Sequence, residues 1–166
     1  MLSTTPDRAR IDLSAIPSVI PNLIGGRDLL PAETRLFSKI DPATGGEICK
    51  VARSTAADVR VAVERARQAQ PAWAATTVVK RGEILRRIAI LMQEHRAAIA
   101  DLVSRETGKS RKDALGETDA AIEMGFFVAG EGRRFYGQTT TSAVPNKSAM
   151  IVRQPLGVAG LIIAAN

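Results

Sequence analysis

The sequence predicts an α/β protein, mostly helical, with short strands at its periphery. Helical periodicity runs from about residue 54 to 137, and short paired strands flank this helical block. The sequence then closes on an apolar run that follows a Pro-Leu-Gly turn and comprises residues 158–166. Such a run is typical of the first strand of a nucleotide-binding sheet, whose ligands lie beyond the carboxyl ends of the strands. We therefore expect a binding site to begin where the given sequence stops, and its function to belong to a longer parent chain.

The first 26 residues are predicted to hold little regular structure. Residues 1–21 sustain no period and are interrupted by prolines, which indicates a loosely attached arm. The segment 22–26, Asn-Leu-Ile-Gly-Gly, predicts a short strand that breaks into a turn.

A β-hairpin is predicted over residues 34–52. Residues 34–40 alternate between polar and apolar side chains, as a half-buried strand does. The next six residues, Asp-Pro-Ala-Thr-Gly-Gly, form a turn sequence because proline fixes the backbone and glycine permits positive φ. Residues 47–52 follow as the returning strand.

The helical block begins with two capped helices. Ser54 and Thr55 are suitable N-caps for the first helix, and Pro71 is predicted to end it. Thr76 or Thr77 caps the second. Its apolar stripe predicts a face packed on the core and consists of Ile84, Leu85, Ile88, Leu91 and Met92.

Two further helices complete the block. The third is predicted to end at Gly108, which is a suitable C-cap. Ser110 opens the fourth, and Gly137 is predicted to end it. Its expected buried face comprises Leu115, Ile122, Phe126 and Ala129. Residues 138–142 and 149–154 then predict two strands joined by a turn.

The composition is that of a soluble globular protein, and the charge pattern gives little support to nucleic-acid binding. The net charge is +6, but basic and acidic residues are interleaved along the helices, as on a solvated face. No apolar run reaches the ~18 residues of a membrane span. The start of the sequence lacks the features of a secretory or organelle signal. A single cysteine suits a reducing compartment, so we expect the cytoplasm.

Most reactive residues have a simple structural explanation. Cys49 lies in an apolar strand without a neighbouring base, which favours a buried structural thiol over a nucleophile. His95, the only histidine, is expected to be an exposed residue at a helix junction. It has no partners at metal-ligand spacing, so no metal site is predicted.

Two charged clusters are also expected to be structural. Residues 106–109, Glu-Thr-Gly-Lys, could bind an anion but form an ordinary helix end with a cation near its negative pole. On the fourth helix, Glu117, Asp119 and Glu123 are expected to be surface charges. The basic residues expected to form ion pairs with them are Arg111, Lys112 and Arg133. Neither common phosphate-binding motif occurs in the sequence.

Asn166 is the strongest candidate site residue. It follows an apolar strand, and a polar amide at that position points into the crevice where ligands bind. Its NH₂ group could donate to a developing oxyanion, which contributes about 3 kcal/mol in favourable cases. The alternative is an ordinary loop asparagine.

Several short motifs together resemble the amino-terminal part of the aldehyde dehydrogenase superfamily. In chain order they are Ile24-Gly-Gly26, Asp41-Pro-Ala-Thr-Gly45, Pro71-Ala-Trp73, Arg81 through Leu91, Glu106-Thr-Gly-Lys109, Glu117, Tyr136-Gly137 and Pro155-Leu-Gly-Val158 leading to Asn166. The resemblance covers about residues 22–166, and it rests on the order and spacing of motifs that are individually weak.

The resemblance implies an incomplete α/β fold of that family. Residues 22–137 would be the helical first part of the cofactor-binding domain. Residues 138–156 would form a β-hairpin arm that joins subunits into a homo-oligomer. Residues 157–166 would be the first strand of the dinucleotide-binding sheet.

The resemblance also implies an enzyme that oxidises an aldehyde to a carboxylic acid with NAD or NADP. In the family a cysteine attacks the aldehyde, a hydride passes to the nicotinamide, and a glutamate activates water. Asn166 would hold the oxyanion, and Ile162 and Ile163 would line the cofactor. The nucleophile and the base belong to a later portion, and Cys49 does not match the nucleophile, so the 166-residue chain is expected to be inactive alone.

Three hypotheses follow from the sequence. The leading one is an amino-terminal piece of an NAD(P)-dependent aldehyde dehydrogenase. The second is a non-catalytic helical interaction module that binds dehydrogenase subunits through its β-arm. The third is a small basic binding protein.

Overall fold

The computed structural model describes residues 16–163 and confirms the α/β class. Three small sheets flank a block of helices, with strand orders β1-β5-β4, β2-β3 and β6-β7. In chain order the elements are β1 Val19–Ile20, β2 Asn22–Ile24, β3 Arg27–Leu29, a 3-10 turn Glu33–Arg35, β4 Leu36–Ile40, β5 Glu47–Ala52, α1 Ala56–Ala75, α2 Val78–Glu94, α3 Arg96–Thr107, α4 Arg111–Glu131, β6 Gln138–Thr141 and β7 Ser148–Ile151.

The predicted hairpin is confirmed as the antiparallel pair β4–β5. The Asp41 carboxylate accepts a hydrogen bond from the backbone N–H of Ala43 at 2.8 Å, and Gly45 takes a φ of 74° that favours glycine. The first strand begins later than predicted, at Leu36, because the residues before it form the 3-10 turn.

The end of the predicted amino-terminal arm, at Val19 and Ile20, is part of a sheet. Val19 and Ile20 pair in parallel with Lys50 and Val51 of β5, so the prediction of a loosely attached arm is wrong for these residues. The free edge of β5 supplies the hydrogen-bonding groups that the pairing needs. Residues 1–15 of that arm lie outside the described residues. The strand and turn predicted at 22–26 are confirmed, and the turn returns into β3.

Helix α1 begins as predicted but does not end at Pro71. Thr55 and Asp58 form a reciprocal capping box at its start. Pro71 lies inside the helix, which continues to Ala75. An interior proline costs about 3 kcal/mol, but the residues after it include three alanines, which favour helix strongly. Arg81 also donates to the carbonyl oxygens at the end of the helix.

The α2–α4 packing corrects the predicted core of α2. Thr77 caps α2 as expected, yet Ile84, Leu85 and Ile88 of the predicted stripe are 40%, 38% and 48% exposed. The buried residues of α2 are Gly82 and Ala89. These small residues let the backbones of α2 and α4 approach closely, so the contact centres on Gly82 and Ala89, while Leu91 and Met92 of the predicted stripe are half-buried.

Helices α3 and α4 follow the predicted order. Gly108 ends α3 with a φ of 76°, and Ser110 caps α4 by accepting from the Asp113 N–H at 3.1 Å. Ile122 is buried in α4 as expected. The helix ends at Glu131 rather than near Gly137, because Gly132 packs against the start of α2 and the chain turns away there.

The chain after α4 forms an exposed hairpin and then a segment without regular structure. Strands β6 and β7 confirm the predicted hairpin, with Gln138 opposite Ile151, but β7 ends at Ile151 rather than at residue 154. All residues of both strands are exposed. Within the part of the chain that is described, residues 152–163 form no strand. No described strand lies beside them to supply a hydrogen-bonded ladder. The strand predicted at 157–166 therefore stays a prediction.

Candidate functional site

The candidate site lies where α1, α2 and the segment after β7 meet. An open cleft of about 640 Å³ separates the end of α1 and the start of α2 from residues 152–157. Trp73, Arg81 and Arg153 contribute its aromatic and charged groups. The cleft therefore joins the helical block to the segment that leads towards the predicted binding site.

Arg81 fastens the end of α1 to the start of α2. Its Nη1 donates to the carbonyl oxygen of Thr76 at 2.8 Å and to that of Trp73 at 3.3 Å. The last carbonyls of a helix lack intrahelical partners and form its negative pole, so a guanidinium group is favourable there. The same group lies 5.9 Å from the Trp73 ring centroid, in the range of a cation–π contact.

Arg153 fixes the base of the β-arm. Its Nε donates to the Tyr136 carbonyl oxygen at 3.1 Å, and its guanidinium carbon lies 5.1 Å from the Phe135 ring centroid. Gly137 allows the two sides of the base to approach, since a Cβ on it would lie 2.0 Å from the Ile151 carbonyl oxygen. Arg81 and Arg153 were missed as contributors to the site. No aromatic residue adjoins either of them in the sequence, so the ring contacts with Trp73 and Phe135 had no sequence signal.

A second cleft runs along α1 beside the apolar segment. It has a volume of about 440 Å³ and lies between Val63, Arg67 and Gln70 of α1 and residues 156–160. The large side chains of the segment are open to solvent: Leu156 is 102% exposed and Leu161 is 85% exposed. The segment and α1 thus face each other across an open gap.

The predicted site residues are only partly within the structure. Asn166 lies outside the described residues. Ile162 and Ile163, the predicted cofactor-lining pair, are 102% and 88% exposed. Residues 16–163 therefore do not enclose a dinucleotide around this pair.

The predicted structural role of Cys49 agrees with its position. The thiol lies in β5, is 6% exposed and forms no disulfide. His95 links α2 and α3 and is half-buried, which corrects the expectation of an exposed residue. Across residues 16–163, no group of three or more potential ligand residues could hold a metal ion.

Two of the three acidic residues predicted as surface charges on α4, Glu117 and Asp119, form ion pairs, but not with the predicted partners. Glu117 pairs with Lys109, and Asp119 pairs with Arg96 through two hydrogen bonds. The prediction of Arg111, Lys112 and Arg133 as partners is wrong. The basic residues that do pair, Arg96 at the start of α3 and Lys109 just after it, reach α4 across the contact between the two helices. Hydrogen bonding to Arg96 lowers the pKa of Asp119. These carboxylates therefore link α4 to Arg96 at the start of α3 and to Lys109 beyond its end.

The helix end at residues 106–109 docks the β4–β5 hairpin. Lys39 forms an ion pair with Glu106 at 3.2 Å, and the Ser104 hydroxyl donates to the Lys109 carbonyl oxygen at 2.8 Å. A Cβ on Gly108 would lie 2.7 Å from Pro42 Cγ, so the turn of the hairpin lies directly against the helix end. This arrangement matches the structural role predicted for the segment.

No helix among the described residues has the length and apolar composition needed to cross a bilayer. This agrees with the polar and charged residues distributed along all four helices.

Solved structures define the class of protein to which this fold belongs. An NADP-dependent enzyme of Escherichia coli aligns with a TM-score of 0.77 and 33% identity, covering 81% of this chain and 28% of that one. A mutant betaine aldehyde dehydrogenase of Staphylococcus aureus, in complex with NAD+, aligns with a TM-score of 0.76 and 28% identity over the same shares. The described fold is therefore a portion of an aldehyde dehydrogenase fold.

The sequence comparisons give the family. The model of the aldehyde dehydrogenase family matches residues 30–166, and the chain belongs to this family. The chain is 34% identical to the NADP(+)-dependent succinate-semialdehyde dehydrogenase of Escherichia coli over 144 residues, 87% of this chain and 30% of that protein. It is 37% identical to the glutarate-semialdehyde dehydrogenase of Pseudomonas putida over 126 residues, 76% of this chain and 26% of that protein. It thus spans less than a third of these relatives.

Proposed function

We propose that this chain supplies the amino-terminal portion of an NAD(P)-dependent aldehyde dehydrogenase in the cytoplasm. The observation that carries the proposal is the family match over residues 30–166 together with the shared fold. The reaction would convert an aldehyde, water and NAD(P)+ into a carboxylic acid, NAD(P)H and a proton. Relatives that use either dinucleotide support NAD or NADP as the cofactor.

The chemistry would follow the cysteine route of the family. A thiolate attacks the aldehyde carbon to form a thiohemiacetal, whose carbon-bound hydrogen leaves as a hydride, and water then cleaves the thioester. The cofactor supplies only the hydride acceptor. Cys49 is unsuited to the attack because it is buried within a sheet. The 166-residue chain would therefore be inactive without a further thiol and base.

Asn166 would hold the oxyanion of the tetrahedral intermediate, and Ile162 and Ile163 would line the cofactor. The exposure of these two side chains is compatible with contact to another part of the enzyme. Residues 16–163 do not form a nicotinamide site alone, so hydride transfer would need the rest of the enzyme.

The second candidate function is a non-catalytic module that binds dehydrogenase subunits through residues 138–156. The exposed β6–β7 hairpin favours it, since Met150 and Ile151 are 71% and 62% exposed. In the leading proposal the same hairpin joins subunits of a homo-oligomer. The two candidates differ in whether the polypeptide supports catalysis when it is part of a complete enzyme.

A covalent chimera tests the leading proposal. Residues 1–166 would replace the matched amino-terminal portion of the Escherichia coli succinate-semialdehyde dehydrogenase, and NAD(P)H formation would be measured with several semialdehydes and apolar aldehydes. We expect an active chimera. Asn166→Ala should lower its kcat about 100-fold with little change in KM, because an oxyanion donor acts in the transition state.

The control is Gln93→Ala in the same chimera, because Gln93 is an exposed amide residue of α2, outside the β-arm and the clefts. A soluble, folded chimera without dehydrogenase activity would contradict the leading proposal and favour the non-catalytic module.

A further inference from the structure

We propose that a groove between α2 and α4 binds a phosphate monoester of a small aromatic molecule, with Arg86 and Arg133 holding the phosphate. The groove is lined from within residues 79–86 of α2 and 126–133 at the end of α4. We call it the α2–α4 groove. This binding activity goes beyond the proposed dehydrogenase function and does not depend on it.

Helical spacing places the lining residues of the α2–α4 groove on one face of each helix. They run from Val79 to Arg86 on one side and from Phe126 to Arg133 on the other, each at i, i+3, i+4 and i+7. The volume of about 420 Å³ is in the range of small-molecule sites. The two arginines therefore open onto one space that is large enough for an organic ligand.

Glycine keeps the α2–α4 groove open. Gly82 and Gly132 lie on its floor, and a Cβ on Gly82 would lie 3.5 Å from the Gly132 Cα. Gly130 is a further lining residue, and a Cβ there would meet no described atom within 4 Å. Because these residues carry no side chains, the space between Arg86 and Arg133 is not filled from below.

The charges of the α2–α4 groove favour an anion. Arg86 and Arg133 are exposed, and neither forms an ion pair with an acidic residue of the described chain. Glu83 also lines the groove, but it pairs with Lys80 at 3.1 Å, so its charge is compensated. Two guanidinium groups at one groove repel each other, and an anion between them removes that repulsion.

The poles of the two helices contribute little to this charge. Gly132, just beyond α4, packs against Val78 at the start of α2, so the negative pole of one helix lies beside the positive pole of the other. The arginines therefore determine the sign of the ligand.

The number and shape of the cationic groups favour a phosphate monoester. Such a group carries a charge of about −1.5 to −2 at pH 7, which two arginines balance. The planar fork of a guanidinium group also matches phosphate oxygens in a bidentate geometry. A single carboxylate would leave one arginine uncompensated.

An apolar wall beside the arginines favours an aromatic ester. Phe126 is half-buried and lines the groove together with Val79. An aromatic ring can pack against the Phe126 ring in an offset or edge-to-face arrangement. The ligand thus places its phosphate between the arginines and its ring on this wall.

Isothermal titration calorimetry of the 166-residue chain at constant ionic strength tests the proposal. The probes are inorganic phosphate and phenyl phosphate. We expect saturable binding of both at one site per chain. Phenyl phosphate should bind roughly fivefold more tightly, because its ring contacts the apolar wall.

Point variants locate the bound phosphate. Arg86→Gln and Arg133→Gln should each weaken the binding of phenyl phosphate roughly tenfold, because each removes charge-assisted hydrogen bonds. The matched control is Arg60→Gln, which removes the same charge from an exposed residue of α1 and should leave the dissociation constant unchanged. Circular dichroism would establish that each variant is folded. Arg86→Lys and Arg133→Lys, which keep the charge but lose the planar fork, should weaken binding less than glutamine does.

Three results would overturn the inference. Binding that does not saturate would show that no site exists. A loss in Arg60→Gln equal to that in the groove variants would show attraction to the general positive charge of the chain. Equal affinities for inorganic phosphate and phenyl phosphate would contradict the aromatic part of the ligand.

Discussion

Gly82→Ala places a methyl group where α2 and α4 approach most closely. A Cβ on Gly82 would lie 2.6 Å from the carbonyl oxygen of Ala129, whereas ordinary contacts begin at 3.4 Å. The helices must therefore separate by about 0.8 Å or distort locally, since the opposing atom belongs to the backbone. Gly132 repeats the geometry from the other side, because its Cβ would lie 2.6 Å from the Val78 carbonyl oxygen.

The expected magnitude is the difference between two opposing effects. Overpacking of a tight contact costs about 1–3 kcal/mol, and the upper part of that range applies to a clash with backbone. Alanine recovers about 1 kcal/mol of helix propensity. The free energy of unfolding should therefore fall by about 1–2 kcal/mol, with Tm lower by about 2–4 °C for each kcal/mol.

Gly116→Ala is the matched control. Gly116 is an exposed residue of α4, and a Cβ there meets no described atom within 4 Å. This substitution should raise the free energy of unfolding by about 0.5–1 kcal/mol through propensity alone. Urea unfolding followed by circular dichroism measures both variants. If Gly82→Ala stabilises the chain as much as Gly116→Ala does, the close approach of α2 and α4 is wrong.

Three further predictions concern charge, self-association and catalysis. Hydrogen bonding from Thr55, aided by Arg35, lowers the pKa of Asp58, so its stabilising effect is complete above the ordinary aspartate pKa and is lost as the pH falls through the lower folded value. Asp58→Asn should flatten this acid-side loss in urea unfolding at several pH values; an unchanged slope would show that the carboxylate has no part in it. Residues 1–154 should scatter less light than residues 1–166 at equal concentration, because the longer chain exposes its apolar segment. A monodisperse 1–166 chain that 1–154 does not improve would count against this. The 166-residue chain alone should form no NAD(P)H with any aldehyde tested, and turnover that disappears in Cys49→Ser would reverse the assignment of that thiol.

The sequence predicted best those features that depend on neighbouring residues. The hairpin turn at Asp41, the caps at Thr55, Thr77 and Ser110, and the C-cap at Gly108 each depend on a few adjacent backbone groups. Local chemistry is sufficient for such features, because the side chain and the group that it binds lie within one turn.

Features set by distant contacts were predicted poorly. Pro71 lies inside α1, where Arg81, from the following helix, binds the carbonyl groups at the helix end. The aliphatic stripe of α2 predicts a helix, but it does not predict which helix packs against it. The close contact with α4 forms at Gly82, which the periodicity did not single out. The ion-pair partners of α4 followed the same rule, since Arg96 reaches Asp119 from another helix. For the candidate site, the sequence located the apolar segment but not the arginines beside its cleft.

The packing of α2, α3 and α4 also determines when each part of the protein can fold. The described contacts among these three helices lie between Val78 and Gly132, so the loops that they close are short and cost little entropy. During synthesis these helices can assemble before the apolar residues 156–163 are available. Limited proteolysis of ribosome-bound nascent chains would detect this as protection of the helices before residue 156 is translated. The most aggregation-prone part of the chain would then emerge beside a surface that is already folded.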